Sequence, residues 1–274
     1  MKHSSLGTKI LNAPYILWSV LFIIVPLVIV VYFAFTDQNG AWTLANIAEI
    51  KDYGEILLRS IGYAVVATLI TLVTSYPVAY FMSKAKARTQ AIMMMLIMLP
   101  MWMNLLIRTY SWTTILEKNG IINTLLGYLG IGPLPLIGTS GAVILGMIYN
   151  YIPYMILPIY TIMVKIDPAL LEAASDLGSN GFDRLKRVIF PLSLPGVVSG
   201  ITMVFVPSVS TFYIADKLGS TKTLMIGDMI QKKFDINLYS NTGAALSFVL
   251  MLIILISLAV MHKFAGEDGE AIIV

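Results

Sequence analysis

The sequence predicts an all-α integral membrane protein with six transmembrane helices. Three observations predict this fold class: apolar runs of about 20 residues recur along the chain, only 12% of the 274 residues are charged, and 58% are hydrophobic. A soluble domain carries about 25% charged residues, because a globule needs a polar surface. Since about 20 helical residues cross the hydrocarbon layer, the bilayer must surround most of these side chains.

Six apolar runs are long enough to span a bilayer. They cover residues 14–35, 61–82, 91–116, 142–163, 196–215 and 244–261. The first run follows Lys2 and Lys9 as a signal peptide would, but it is too long for one and no small-residue cleavage site follows it. We therefore expect a retained anchor and a single transmembrane domain over residues 1–274.

The positive charges predict the orientation of the spans. Basic residues flank both ends of the chain and crowd the loops between spans two and three and between spans four and five. They are Lys2, Lys9, Lys84, Lys86, Arg88, Arg184, Lys186, Arg187 and Lys263. If both termini are cytoplasmic, all of these residues lie on the cytoplasmic side, as the positive-inside rule requires. Four lysines between spans five and six would lie on the opposite side and are exceptions to the rule. We expect a multi-pass protein of a bacterial cytoplasmic membrane.

The segment 165–195, between spans four and five, predicts two short helices joined by a glycine corner. An Asp-Pro pair at 167–168 is a helix start, with a carboxylate cap and a proline at the first helical position. Gly178 suits a left-handed helix end. We expect a second helix over 182–189, closed by the prolines that follow it. Such a pair of helices would form a rigid element on the cytoplasmic side, outside the membrane.

This segment resembles the EAA loop of ABC-importer permeases. The resemblance lies in Glu172-Ala173-Ala174, Gly178 and Val188-Ile189-Phe190-Pro191, although the family has Ile and Leu where this chain has Val188 and Phe190. It implies a type I ABC-importer permease fold whose cytoplasmic loop is a coupling helix that docks on an ATPase subunit. The residues that it assigns to coupling are Glu172, Ala173, Ala174, Gly178, Val188 and Pro191.

Other stretches resemble the first permease subunit of the spermidine/putrescine importers. They cover 99–102, 106–110, 212–219 and 224–227, and the similarity extends from about the first span to the last. It implies a complex with a sister permease, an ATPase dimer and an extracytoplasmic substrate-binding protein. Because the chain contains no P-loop, we expect ATP and Mg on the partner ATPase. On this chain we expect no catalytic, cofactor or metal site and no nucleic acid, but contacts with membrane lipid and a small cationic substrate.

The residues of the predicted substrate path suit a polyamine. Cations of this type bind through carboxylates and through aromatic faces. Asp216 follows Tyr213 at the end of the fifth predicted span, and Trp102 and Tyr149 lie nearer the middle of spans three and four. Because ionisable residues at membrane depth face a bundle interior or a water-filled path, Asp216 is the leading candidate.

Arg108 lies inside the third predicted span, so it needs a partner or a route to water. A cation that lines the path of another cation is unfavourable, so we expect a structural ion pair. Asp216 could instead be an interfacial acid paired with Lys217 or Arg108, and the aromatic residues could form an interfacial belt.

Three other functions stay open: a permease for another small polar solute, an ion-driven secondary transporter, and an intramembrane enzyme. The enzyme would need catalytic groups at membrane depth, but the predicted spans contain no His or Cys and few acids. A secondary transporter usually has internal repeats, and no convincing repeat is present. We therefore expect a transport subunit rather than an enzyme.

Overall fold

The computed structural model describes residues 14–265, and this part of the chain contains helices but no β-strand. The helices are α1 (Pro14–Ala34), α2 (Gly54–Lys84), α3 (Ala87–Trp102), α4 (Leu105–Leu116), α5 (Ile121–Tyr128), α6 (Ser140–Met163), α7 (Pro168–Asp176), α8 (Gly181–Ser210), α9 (Tyr213–Leu218), α10 (Ile226–Ile236) and α11 (Asn241–Ala265). Short helical turns cover Ala45–Ala48, Glu49–Tyr53 and Thr221–Thr223. Lys2 and Lys9, which support the predicted orientation, lie outside the described residues.

The prediction of an all-α membrane fold is confirmed. In the described chain, five helices are long and apolar enough to cross a bilayer, namely α1, α2, α6, α8 and α11. A bent pair, α3 and the stretch Leu105–Tyr128, makes a sixth if it is counted as one span. The differences from the predicted spans lie at the third and fifth.

The predicted third span, 91–116, is wrong as a single helix. The axis turns by 91° between α3 and the stretch Leu105–Tyr128. Met103 has an extended backbone with ψ 145°, and the side chain of Asn104 accepts a hydrogen bond at 2.7 Å from the backbone N–H two residues further on. Because an extended residue followed by a capping asparagine ends one helix and starts another, the chain breaks here.

The predicted fifth span, 196–215, also differs from the structure. α8 begins well before it and ends at Ser210, where Thr211 is extended with ψ 138°, so Asp216 lies on the separate helix α9. Gly227 approaches this break closely, since a Cβ atom on it would lie 2.6 Å from the carbonyl oxygens of Ser210 and Thr211. Only a glycine allows the backbone of this later segment to pack against the break.

The predicted second short helix, 182–189, does not end at the prolines. It runs through a π-helical turn at Leu185–Ile189 directly into the rest of α8. The π turn changes the hydrogen-bond spacing, and Pro191 then falls in the first turn of the regular helix, where a missing N–H costs least.

The described chain forms two compact units. The first contains residues 14–54 and 229–253, and the second contains residues 55–228 and 254–265. In the first unit, Phe35 packs edge-on against Phe248 with ring centroids 5.3 Å apart, and the Asn241 side chain donates to the carbonyl oxygens of Phe33 and Thr36 at 3.2 and 2.6 Å. The prediction of a single domain over residues 1–274 stays a prediction.

In the second unit, α6 and α8 pack closely against each other. Gly196 is the point of nearest approach, since a Cβ atom there would lie 2.7 Å from the carbonyl oxygen of Pro158 and 3.1 Å from the Cα of Ile159. Gly200, one turn later, faces Met155, whose Sδ would lie 2.7 Å from a Cβ atom at that position. Small residues four apart let membrane helices approach closely, so this pair of glycines holds together the two helices that flank α7.

The buried Asn123 on α5 connects the segments on either side of this helix. The Asn123 side chain donates to the carbonyl oxygens of Glu117 and Leu134, both at 3.0 Å, and accepts from the Leu134 N–H at 2.8 Å. These three bonds join both segments to α5, which leaves Tyr128 and Leu129 exposed.

Candidate functional site

The first part of the EAA segment is a short exposed helix, α7. The Asp167 carboxylate caps it by accepting from the Ala169 N–H at 2.9 Å, as expected for this Asp-Pro start. Glu172 and Ala173 lie on its exposed surface, and Ala174 is half-buried. Within residues 14–265 no ion pair includes Glu172, so its carboxylate is available to another molecule.

Gly178 forms the corner that follows α7. Its φ of +82° lies in the left-handed region, and its N–H donates to the carbonyl oxygen of Ser175 at 2.9 Å. The N–H of Ser179 reaches back to the Ala174 carbonyl at 3.1 Å. These reverse bonds are a helix-ending motif that needs glycine, and they leave Leu177 89% exposed at the tip of the corner.

Two side chains connect the corner to the start of α8. The Asn180 side chain accepts from the Asp183 N–H at 2.9 Å, which caps α8, and Arg184 donates from Nη1 to the Ser175 hydroxyl of α7 at 2.6 Å. Val188 is half-buried and Pro191 is exposed. Hydrogen bonds therefore hold the segment on both sides of Gly178 and connect α7 to the start of α8.

A second group of candidate residues lies on α9 and the facing side of α4. Asp216 and Lys217 form an ion pair with Oδ2 and Nζ 2.8 Å apart. The same Nζ lies 5.7 Å from the ring centroid of Tyr213 and 6.0 Å from that of Tyr110. The two rings meet edge to face with centroids 6.4 Å apart. We call Asp216, Tyr110 and Tyr213 the ammonium cage, because together they surround a primary ammonium group.

The ammonium cage is both charged and open to water. The hydrogen bond from Lys217 to Asp216 and the charge of that carboxylate raise the pKa of Lys217 above its ordinary value, so the lysine is a cation at neutral pH. The side chains of Asp216 and Lys217 are 46% and 33% exposed.

The remaining path candidates, Tyr149 and Trp102, make no contact with the ammonium cage in the described part of the chain. Tyr149 packs edge-on against Trp112 with ring centroids 5.4 Å apart. Trp102, at the end of α3, is exposed and has no aromatic partner in the described part of the chain. Of the predicted path residues, the structure therefore brings together Asp216 and Tyr213.

The ion pair that we expected for Arg108 does not form within residues 14–265. This prediction is therefore wrong. Arg108 is 9% exposed, and its Nε and Nη1 atoms are buried without a hydrogen-bond partner in the described chain. None of the ion pairs found among residues 14–265 includes it. Asp216 pairs with Lys217 instead, and α3, α4 and α6 contain no acidic residue.

Two members of the second group were not singled out from the sequence as parts of a site. Tyr110 lies in the predicted third span but was not among the predicted path residues. Lys217 was considered only as a possible partner of Asp216. The signal that was available was the capping asparagine at position 104, because a break there redirects Tyr110 on α4.

Three known permeases resemble this chain over most of its length. The spermidine/putrescine transport system permease protein PotB of Haemophilus influenzae is 35% identical over 256 residues, which cover 90% of each chain. PotB of Escherichia coli K12 is 35% identical over 257 residues, 90% of this chain and 93% of its own. The inner membrane ABC transporter permease protein YdcU of the same organism is 31% identical over 238 residues, 79% of this chain and 73% of its own.

A solved structure shares the fold. It is a crystal structure of a bacterial ABC transporter involved in the import of the acidic polysaccharide alginate; the match has a TM-score of 0.75 at 15% identity and covers 97% of this chain and 96% of the other. The model of the binding-protein-dependent transport system inner membrane component matches residues 75–264, more than half of the chain. The chain therefore belongs to this family of inner membrane components, and it is a multi-pass transport subunit rather than an enzyme.

Proposed function

We propose that this chain is the permease subunit of an ABC importer that carries polyamines such as spermidine and putrescine. The observation that carries the proposal is 35% identity over nine-tenths of the chain to permeases of spermidine/putrescine transport systems. The ammonium cage supports it, because polyamines bind through carboxylates and aromatic faces.

The partners follow from the same proposal. This chain and a sister permease form the translocation path, an extracytoplasmic binding protein delivers the cargo, and a dimer of ATPase subunits binds ATP and Mg. Both termini lie in the cytoplasm, which puts α7 and its glycine corner on the ATPase side.

The coupling contact consists of the exposed surface of α7 and the corner that follows it. Glu172 and Ala173 face outward, and Leu177 projects from the corner. Ala174, Gly178, Val188 and Pro191 shape and support this surface. Because the corner is hydrogen-bonded on both sides, it can carry the closing motion of an ATPase dimer to α8.

The substrate path runs past Asp216 and Tyr213, with Tyr149 and Trp102 as further contacts. Asp216 supplies the only negative charge of the ammonium cage. Asp216→Asn should therefore reduce transport by much more than it reduces the amount of assembled complex. An equal loss of transport and assembly would mean that the carboxylate has only a structural role.

The cargo is tested by uptake of radiolabelled spermidine and putrescine in a strain in which only this gene is deleted. We expect uptake to fall to background and to return when the wild-type gene is restored. Normal uptake in the deletion strain would overturn the polyamine assignment, and loss of uptake of a different polar solute would replace it.

The coupling contact is tested by charge reversal. Glu172→Lys should lower the ATP hydrolysis that loaded binding protein stimulates, while the protein still assembles in the membrane. The matched control is Glu55→Lys, which reverses another exposed carboxylate on the predicted opposite side, where it makes only a surface ion pair with Arg59. If stimulation survives Glu172→Lys, the docking assignment is wrong.

A further inference from the structure

The ammonium cage already has an occupant, which belongs to the chain itself. The Nζ atom of Lys217 lies 2.8 Å from the Asp216 carboxylate and within about 6 Å of both tyrosine ring centroids, the range in which a cation is attracted to an aromatic face. All three walls therefore act on one ammonium group at the same time.

The chemical identity of this occupant is informative. A lysine side chain is a chain of four methylene groups that ends in a primary ammonium. Putrescine is the same aminobutyl group with a second ammonium, and spermidine carries an aminobutyl group at one end. A cage that holds the end of Lys217 therefore has the charge and the aromatic surfaces that the end of such a cargo requires.

The helix that carries Asp216 and Tyr213 is anchored, whereas the occupant of the cage can leave. Ile214, Ala215 and Leu218 anchor α9 in the core of the second unit. Asp216 and Lys217 instead stay partly exposed, and an exposed ion pair is held weakly. The lysine can rotate into water without disturbing the packing of α9.

We propose that Asp216, Tyr110 and Tyr213 form a binding site for a primary alkylammonium group, that Lys217 occupies this site at rest, and that the aminobutyl end of the cargo displaces it. This inference rests on the proposed function for the identity of the cargo. Lys217 is then a tethered competitor: its ammonium group and that of the cargo compete for the same site, and the lysine fills the site until the cargo displaces it.

The test measures binding of radiolabelled putrescine to the purified transporter complex without its binding protein. Lys217→Met keeps an unbranched apolar side chain but removes the cation. If the lysine fills the site about nine-tenths of the time, its removal should tighten putrescine binding about tenfold, because only the empty fraction of the sites binds ligand. The matched control is Lys222→Met, which removes an exposed lysine that is not part of the cage and should leave putrescine binding unchanged.

Two further measurements separate the possible failures. Adding Asp216→Asn to Lys217→Met should abolish the tighter binding, and Lys217→Gln should reproduce it if the Met variant assembles poorly. Equal or weaker putrescine binding by both Lys217 variants, in complexes that assemble normally, would overturn the tethered-competitor inference even if the wild type imports polyamines. A wild-type complex that imports no polyamine would instead overturn the proposed function.

Discussion

The contact between α6 and α8 gives the most quantitative prediction. A Cβ atom at Gly196 would lie 2.7 Å from the carbonyl oxygen of Pro158, and neither that backbone atom nor the Cα of Ile159 at 3.1 Å can rotate away. To reach an ordinary contact of 3.4 Å, Gly196→Ala must separate the helices locally by about 0.7 Å, a gap that already removes a quarter to a half of the dispersion attraction between facing atoms.

The expected cost follows from the same geometry. Overpacking of this kind destabilises by about 1–3 kcal/mol, and the better helix propensity of alanine returns up to about 1 kcal/mol. With the full propensity gain, we expect a net loss of up to about 2 kcal/mol for Gly196→Ala. Gly200→Ala should cost less, because its nearest neighbour is the flexible thioether of Met155. Gly62→Ala, with no atom within 4 Å, should cost nothing.

The assay is unfolding of the purified protein by sodium dodecyl sulfate in mixed micelles, followed by the fluorescence of the four tryptophans. The predicted order of stability is Gly62→Ala equal to or above wild type, then Gly200→Ala, then Gly196→Ala. If Gly196→Ala is as stable as Gly62→Ala, the close approach of α6 and α8 does not stabilise the fold and the reasoning fails.

Three further predictions concern residues that fix the backbone at helix ends and turns. Asn123→Ala should speed hydrogen exchange around α5 by removing three bonds worth about 2–4 kcal/mol together, whereas Thr124→Ala should have little effect; equal exchange in both variants would contradict this role. Asn104→Ala should destabilise α4 by about 1 kcal/mol in the same detergent titration, and Asn104→Asp should not. Gly178→Ala should cost about 1–2 kcal/mol, because an L-residue is strained at φ +82°. It should speed exchange in α7, unlike Gly181→Ala, which has no neighbour within 4 Å and no positive φ.

The straight helices were predictable because their signal is the length of an apolar run. The predicted spans 14–35 and 142–163 correspond to helices Pro14–Ala34 and Ser140–Met163. Hydropathy does not detect a change of direction within an apolar run, so the turn at Met103 was missed. The capping chemistry of Asn104 was visible in the sequence, but a single asparagine carries little weight inside an otherwise apolar stretch.

The first helix of segment 165–195 and its glycine corner were predictable for a different reason. Asp167 and Gly178 act through their own backbone, as a cap and a left-handed corner, so local sequence is enough to place them. The contacts of Asp216 depend instead on where α4 lies relative to α9, which no local pattern encodes. For the same reason the isolation of Arg108 could not be inferred from its position in an apolar run.

The two helix breaks lead to the ammonium cage independently of its charges. Tyr110 follows the break at Met103, and Tyr213 and Asp216 follow the break at Thr211. Irregular backbone inside a bilayer is tolerated only where it is buried in protein or lines a water-filled cavity. The helices that follow both breaks, α4 and α9, pack against each other and carry all three residues of the cage. The helix breaks and the cation contacts therefore occur on the same pair of packed helices.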